Sequence, residues 1–236
     1  MYKRQVEGFE DTKLPDNHFD VVLGNVPFGE FKVDDSRYNA QKFLIHDYFF
    51  AKALDKVRTG GVVMFVTSKG TMDKASPEVR RYIAQRAELL GAVRLPDNTF
   101  RANAGTEGTS DILILQKRDR VIDAEPDWIY LDTNADGITM NSYFVQHPEM
   151  VLGKMQMEST RFGKLEPACK ADKDRPLSEL LHEAMQRISG EIPEYESEID
   201  QISDEQDNSI PADPNVRNFS YTLVNGQIYF LSLIHI

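Results

Sequence analysis

The chain has 236 residues, 41% of them hydrophobic and 28% charged, with a single cysteine and a formal net charge of −11. That suits one domain of roughly 150 residues with an appendage, or two small domains, and excludes an internal disulfide scaffold because Cys169 has no partner. No uncharged apolar run of about 18 residues or signal-peptide core is present, so a cytoplasmic protein without a membrane span is expected, and the negative charge argues against non-specific coating of nucleic acid.

Residues 19–24 form a short apolar run ending in Gly-Asn, the pattern of a buried strand. Residues 40–58 place Phe43, Leu44, Tyr48, Ala51, Leu54 and Val57 at helical spacing, and Thr59-Gly60-Gly61 stops that helix. Residues 61–67 are rich in β-branched side chains and predict a second strand. Ser76-Pro77 opens a second helix reaching about Leu90, followed by strands over 91–95 and 111–116. Strand–helix–strand–helix–strand order predicts a parallel, doubly wound α/β sheet, which binds its ligands beyond the carboxyl ends of the strands.

Beyond residue 121 the pattern weakens into an irregular α+β extension, with a strand expected over 128–131. Between Glu191 and Asp207 stand eight acidic residues and no Lys or Arg, the composition of a solvated linker or charged helix. Residues 221–230 read as a hairpin around Asn225-Gly226. A lone hairpin is marginal in water, so it is expected to lead into a further domain. The divisions expected are 1–120, 121–190, 191–218 and 219–236.

The chemistry concentrates in Asn25-Val26-Pro27-Phe28, placed just after the first strand. An exocyclic amine offers two hydrogens, so an enzyme that methylates it needs two acceptors. The Asn25 side-chain carbonyl supplies one. A backbone carbonyl at Val26 or Pro27 supplies the other, aimed by the fixed φ of Pro27. Phe28 offers a flat face for a base. A base in a duplex reaches such a site only by flipping out.

This tetrapeptide resembles the Asn-Pro-Pro-Phe/Tyr signature of adenine-N6 DNA methyltransferases. The likeness extends in order through Asp20-Val21-Val22-Leu23-Gly24-Asn25, Thr59-Gly60-Gly61, Val66-Thr67-Ser68, Leu95-Pro96-Asp97-Asn98-Thr99-Phe100 and Asp111-Ile112-Leu113-Ile114-Leu115. Segments such as Ile45-His46-Asp47-Tyr48-Phe49, Thr67-Ser68-Lys69-Gly70-Thr71-Met72-Asp73-Lys74 and Ala104-Gly105-Thr106 look like the methylase part of large phage and conjugative-element proteins, where a helicase domain follows. Val26 departs from the signature at the first proline.

The resemblance implies a Rossmann-like methyltransferase sheet, S-adenosylmethionine as cofactor, flipped DNA adenine as substrate and a helicase domain in cis. It implies that Asn25, Pro27 and Phe28 are catalytic, that Asn25 also meets the cofactor, and that Phe100 is a second face for the base. An acidic residue at Glu10 or Asp11 would accept from the cofactor's adenine amine. The family's glycine-rich cofactor loop is not found ahead of Asn25, so a sheet lacking its first strands is expected. Both chain ends, 1–5 and 232–236, read as appended sequence.

Lys69, Arg94, Arg101 and Lys117 are candidates for phosphate contacts, though each alone suits a solvated surface. His46 reads as a core or capping residue. No metal-ligating pattern is present. Methylation of RNA or of protein amides uses the same type of motif, and a catalytically inactive DNA- or partner-binding module is the reading from another class.

Overall fold

A computed structural model describes residues 8–101, 108–159, 163–194, 221–224 and 227–230. The chain divides into two compact units at Pro193/Glu194. In the first, β1 (Phe19–Asn25) leads through α1 (Ile45–Lys56) into β2 (Val57–Ser68), which lies parallel to β1. Then come α2 (Gly70–Asp73), α3 (Glu78–Arg86), β3 (Ala87–Leu95) and β4 (Ser110–Lys117). The sheet order is β1-β2-β4-β3.

The architecture is mixed α/β, and the sheet differs from a uniformly parallel one at a single strand. β4 inserts between β2 and β3 and runs antiparallel to both. A parallel crossover requires a covering element, usually a helix. β4 returns against the direction of β2 and β3 and fills the place between them. β1, β2 and β3 still point the same way, so Asn25, Ser68 and Leu95 end at one sheet edge, where β4 begins.

Helix α3 is shorter than the spacing predicts. It ends at Arg86, and β3 takes up the chain at Ala87 with a bulge between Leu89 and Gly91. Pairing with β4 captures residues 87–90, an instance of tertiary context overriding local helical pattern. At the start of β2 the register slips, with Phe19 opposite Val57 but Val21 opposite Val62. Gly60 absorbs the excursion at φ 74°, where a side chain would be strained.

The core joins the inner faces of α1 and the sheet, with Phe50, Leu54, Phe65, Leu113 and Leu115 fully or almost fully buried. It continues into Ile129 and Phe144 of the following region. That region is more ordered than its sequence suggests. Residues 127–129 form a 3-10 turn rather than a strand, and the strand expected there begins later, as β5 (Leu131–Thr133). β5 pairs with β6 (Thr139–Asn141), which opens α4 (Ser142–Gln146). β7 (Gly153–Ser159) and β8 (Leu165–Ala171) form a second hairpin, and α5 (Leu177–Gln186) follows.

The β7–β8 hairpin is fastened across the sheet edge. The Asp97 N–H donates to the Cys169 carbonyl at 2.8 Å, and the Cys169 N–H donates to Thr109 Oγ1 at 2.9 Å. Lys170 pairs with Asp97 and Glu158, each at 2.6 Å. Gly153 permits this hairpin, because a Cβ there would stand 2.2 Å from the Lys170 carbonyl. Backbone cannot yield as a side-chain tip does. Gly153→Ala is expected to cost about 1–3 kcal/mol, read from the urea midpoint.

In the second unit, β9 (Tyr221–Val224) and β10 (Gln227–Phe230) pair antiparallel, so the expected hairpin is present. Its Asn225-Gly226 turn, most of the acidic segment and both appended-looking ends lie outside the described residues. Among the described residues no helix is long and apolar enough to cross a membrane.

Candidate functional site

Asn25 is the last residue of β1, opposite Val66 of β2. The next residue, Val26, anchors the turn. Its N–H donates to the Val66 carbonyl at 3.0 Å, and its side chain is 2% exposed within the main core. Val26 thus fixes the loop by burial where the family signature carries proline. With Val26 held inward, Asn25, Pro27 and Phe28 all stand exposed, Phe28 at 48%. The loop then returns to α1. Gly29 lets the Phe31 ring approach, since a Cβ would lie 2.6 Å from it, and the Phe31 carbonyl accepts from the Ile45 N–H at 3.0 Å.

β1 pairs only with β2 among the described strands, leaving the other edge of β1 open. Its side chains are exposed there, Leu23 at 68%. The motif therefore sits at an open edge.

Glu10 and Asp11 occupy a 3-10 turn, Phe9–Asp11, with both side chains exposed. Phe9 packs against Tyr48 and Phe49 of α1, and Lys52 Nζ donates to the Glu10 carbonyl at 3.0 Å. The Glu10 carboxylate folds back over Gly8. Lys52 also meets Asp35, which accepts from the Tyr48 hydroxyl at 2.8 Å. Burial, with the Asp35 carboxylate beside it, pushes the Tyr48 hydroxyl well above its usual range.

Phe100 lies beyond β3 on the same sheet edge, half-buried against the main core. β2 and β4 stand between the strands that carry Phe28 and Phe100. Three strand spacings amount to about 14 Å. Two faces on one base require about 7 Å, twice the contact distance. The fold brings both rings to one sheet edge, each on a loop beyond its strand.

The candidate phosphate contacts divide. Arg94 is fully buried, so it is a structural residue instead. Lys117 belongs to the opposite end of the sheet, donating to Asn17 Oδ1 and the Val57 carbonyl. Lys69 donates to the Pro167 carbonyl and lies 3.7 Å from Glu166. Arg101 is exposed at the motif edge.

Sequence reasoning missed the network around Arg94. Its Nε and Nη2 donate to the two Asp111 oxygens at 2.8 and 2.9 Å, and Nη2 also reaches Asp73 Oδ1 at 2.9 Å. Burial opposes the guanidinium charge, but Asp111 and Asp73 outweigh it and keep Arg94 charged. Asn141 joins through its N–H to Asp73 and its Nδ2 to the Met72 and Trp128 carbonyls. The visible signal was two opposite charges inside apolar strands, and they prove to be register partners. His46 is 6% exposed, a core residue as expected. Among the described residues no group of three or more His, Cys, Asp or Glu side chains is placed to hold a metal ion.

Part of the sequence has counterparts among known proteins. Residues 3–100, from before β1 to Phe100, match the family of Eco57I restriction-modification methylases. Within the particular relatives, the chain is 34% identical over 119 residues to Defense against restriction protein B of Escherichia phage P1. That alignment covers 48% of this chain and 5% of the phage protein, so the chain spans about a twentieth of that relative's length.

Two solved structures are similar at low scores. One is a class I S-adenosylmethionine-dependent methyltransferase from Listeria monocytogenes, with TM-score 0.37 and 23% identity, covering 49% of this chain and 36% of that one. The other is the M protein of the type I restriction enzyme EcoKI, with TM-score 0.39 and 12% identity, covering 76% and 50%.

Proposed function

We propose that this chain is part of an adenine-N6 DNA methyltransferase that moves a methyl group from S-adenosylmethionine to a flipped adenine. The observation that carries this reading is the position of Asn25-Val26-Pro27-Phe28 at the carboxyl end of β1, within a segment that matches the Eco57I methylase family. Ligands of open α/β sheets gather at that edge.

The exposed groups fit the chemistry of the cofactor and substrate. The amines of S-adenosylmethionine and adenine need acceptors, and Asn25 Oδ1 and the Glu10 and Asp11 carboxylates are exposed. In this reading Asn25 and the Pro27-fixed backbone hold the target amine with its lone pair directed at the methyl group. Phe28 stacks on the base, and Glu10 or Asp11 holds the cofactor's adenine amine. S-adenosylmethionine supplies an electrophilic methyl group. The site needs no strong base, because the amine sheds its proton after transfer.

The activity is assigned to a longer protein, in line with the small share of the phage relative that this chain spans. A helicase domain in cis follows from the same resemblance, and so does a place in a mobile element's dealings with restriction. The open edge of β1 favours one other reading, an inactive module that binds DNA or a partner.

The test uses the 236-residue chain and a longer protein extended upstream. Each is mixed with DNA and S-adenosylmethionine carrying a labelled methyl group, and the DNA is digested to nucleosides. Label in N6-methyl-2′-deoxyadenosine from the longer protein supports the assignment. Label on RNA or protein amides redirects it. DNA binding with neither cofactor binding nor label favours the inactive module.

A further inference from the structure

Phe28 at 48% and Phe31 at 55% are the exposed phenylalanines of the described residues, and both belong to the motif loop. An apolar ring in water forgoes the stabilisation that burial gives, so two such rings on one loop call for a partner. Neither packs against another aromatic ring of the described residues. Phe100 differs, because its ring already packs against the main core.

The chain holds Phe31 by its backbone and leaves its side chain outside. The Phe31 carbonyl accepts from the Ile45 N–H at 3.0 Å, at the start of α1. The ring lies over Gly29, where a Cβ would stand 2.6 Å from Phe31 Cε1 and 2.7 Å from Cδ1. One Cα–Cβ bond and one step along the chain then put that edge of the ring within about 8 Å of the Phe28 Cα. A flat base held between two rings sets their planes about 7 Å apart. The loop is therefore compact enough to present both rings to one base.

We propose that Phe31 is the second stacking face for the flipped adenine, opposite Phe28, in the role that the resemblance implies for Phe100. The inference deepens the methyl-transfer reading and rests on it for the identity of the base. Stacking accepts the flat face of any base, so the two rings supply affinity while the Asn25 acceptor supplies the choice of an amine. Gly29 is what leaves room for the Phe31 ring beside Phe28. Gly29 does not have a positive φ, so alanine suits the backbone there. Gly29→Ala therefore pushes the ring aside without removing it.

The experiment measures methyl transfer to unmethylated plasmid DNA by the longer protein, as kcat/KM for DNA and KM for S-adenosylmethionine. Phe31→Ala and Phe31→Leu are expected to lower kcat/KM for DNA by about 10–100-fold, the scale of one lost base–aromatic stack. Phe31→Tyr keeps a flat face and should restore it, and Gly29→Ala should lower it with Phe31 still present. The KM for S-adenosylmethionine and the unfolding midpoint should stay where they are. A Phe31→Leu variant as active as the parent overturns the proposal. So does a Phe31→Ala variant whose one change is a lower unfolding midpoint, since protein rather than a base would then cover the ring. Phe31→Trp in the same protein supplies a fluorescent ring, which single-stranded oligodeoxyadenylate is expected to quench beyond any change in the parent. An unquenched ring overturns the stacking face. Quenching in a protein that transfers no methyl group would sink the methyltransferase reading and leave the stacking face standing.

Discussion

Arg94→Met is expected to lower the stability of the chain by about 3–5 kcal/mol, the usual result of removing one partner from a buried ion pair. The guanidinium and the Asp111 carboxylate are both fully buried, so neither can turn to water. Asp73 loses its ion-pair partner as well. The guanidinium also lies 4.3 Å from the centre of the Phe144 ring, which binds β3 to the α4 region. Urea unfolding measures the loss. The double variant Arg94→Met/Asp111→Leu removes both charges and should regain most of the deficit. A single variant that cost under about 1 kcal/mol would show that the network is not what fastens β3, β4 and α2 together.

Asn25→Ala is the matching test for function. In the longer protein it is expected to slow methyl transfer by about 10²–10³-fold, the scale found when one positioned hydrogen-bonding group is removed from a reacting centre. The unfolding midpoint should barely change, because the Asn25 side chain is exposed and the loop is anchored by Val26. The two variants are complementary, since the first tests what holds the fold and the second tests the proposed chemistry. Near-normal methylation by Asn25→Ala would end the assignment of Asn25 as the amine-holding residue.

The strands were legible because each is a compact apolar run, from Val21 in β1 to Leu115 in β4. Their direction was less so. Nothing within residues 111–116 says that the strand runs backwards between two others, since that depends on what lies between β3 and β4. Arg94 misled for a related reason. An arginine next to Leu95 reads as a strand end meeting solvent, and its counter-charge is 17 residues further on. The motif stands out in the sequence because its residue types suit the hydrogen-bonding needs of an amine. The burial of Val26 was not, because a valine between Asn and Pro has no partner in the sequence. His46 was placed correctly in the core.

The β7–β8 hairpin carries a built-in reporter. Cys169 is fully buried, and burial pushes its thiol up to about 12. Its own backbone makes two of the bonds that fasten the hairpin to the sheet edge. A thiol reagent meets it as reactive thiolate only when that fastening opens. The rate of labelling at this single sulfur therefore counts how often the edge beside β3 and β4 comes undone, with no probe added to the chain.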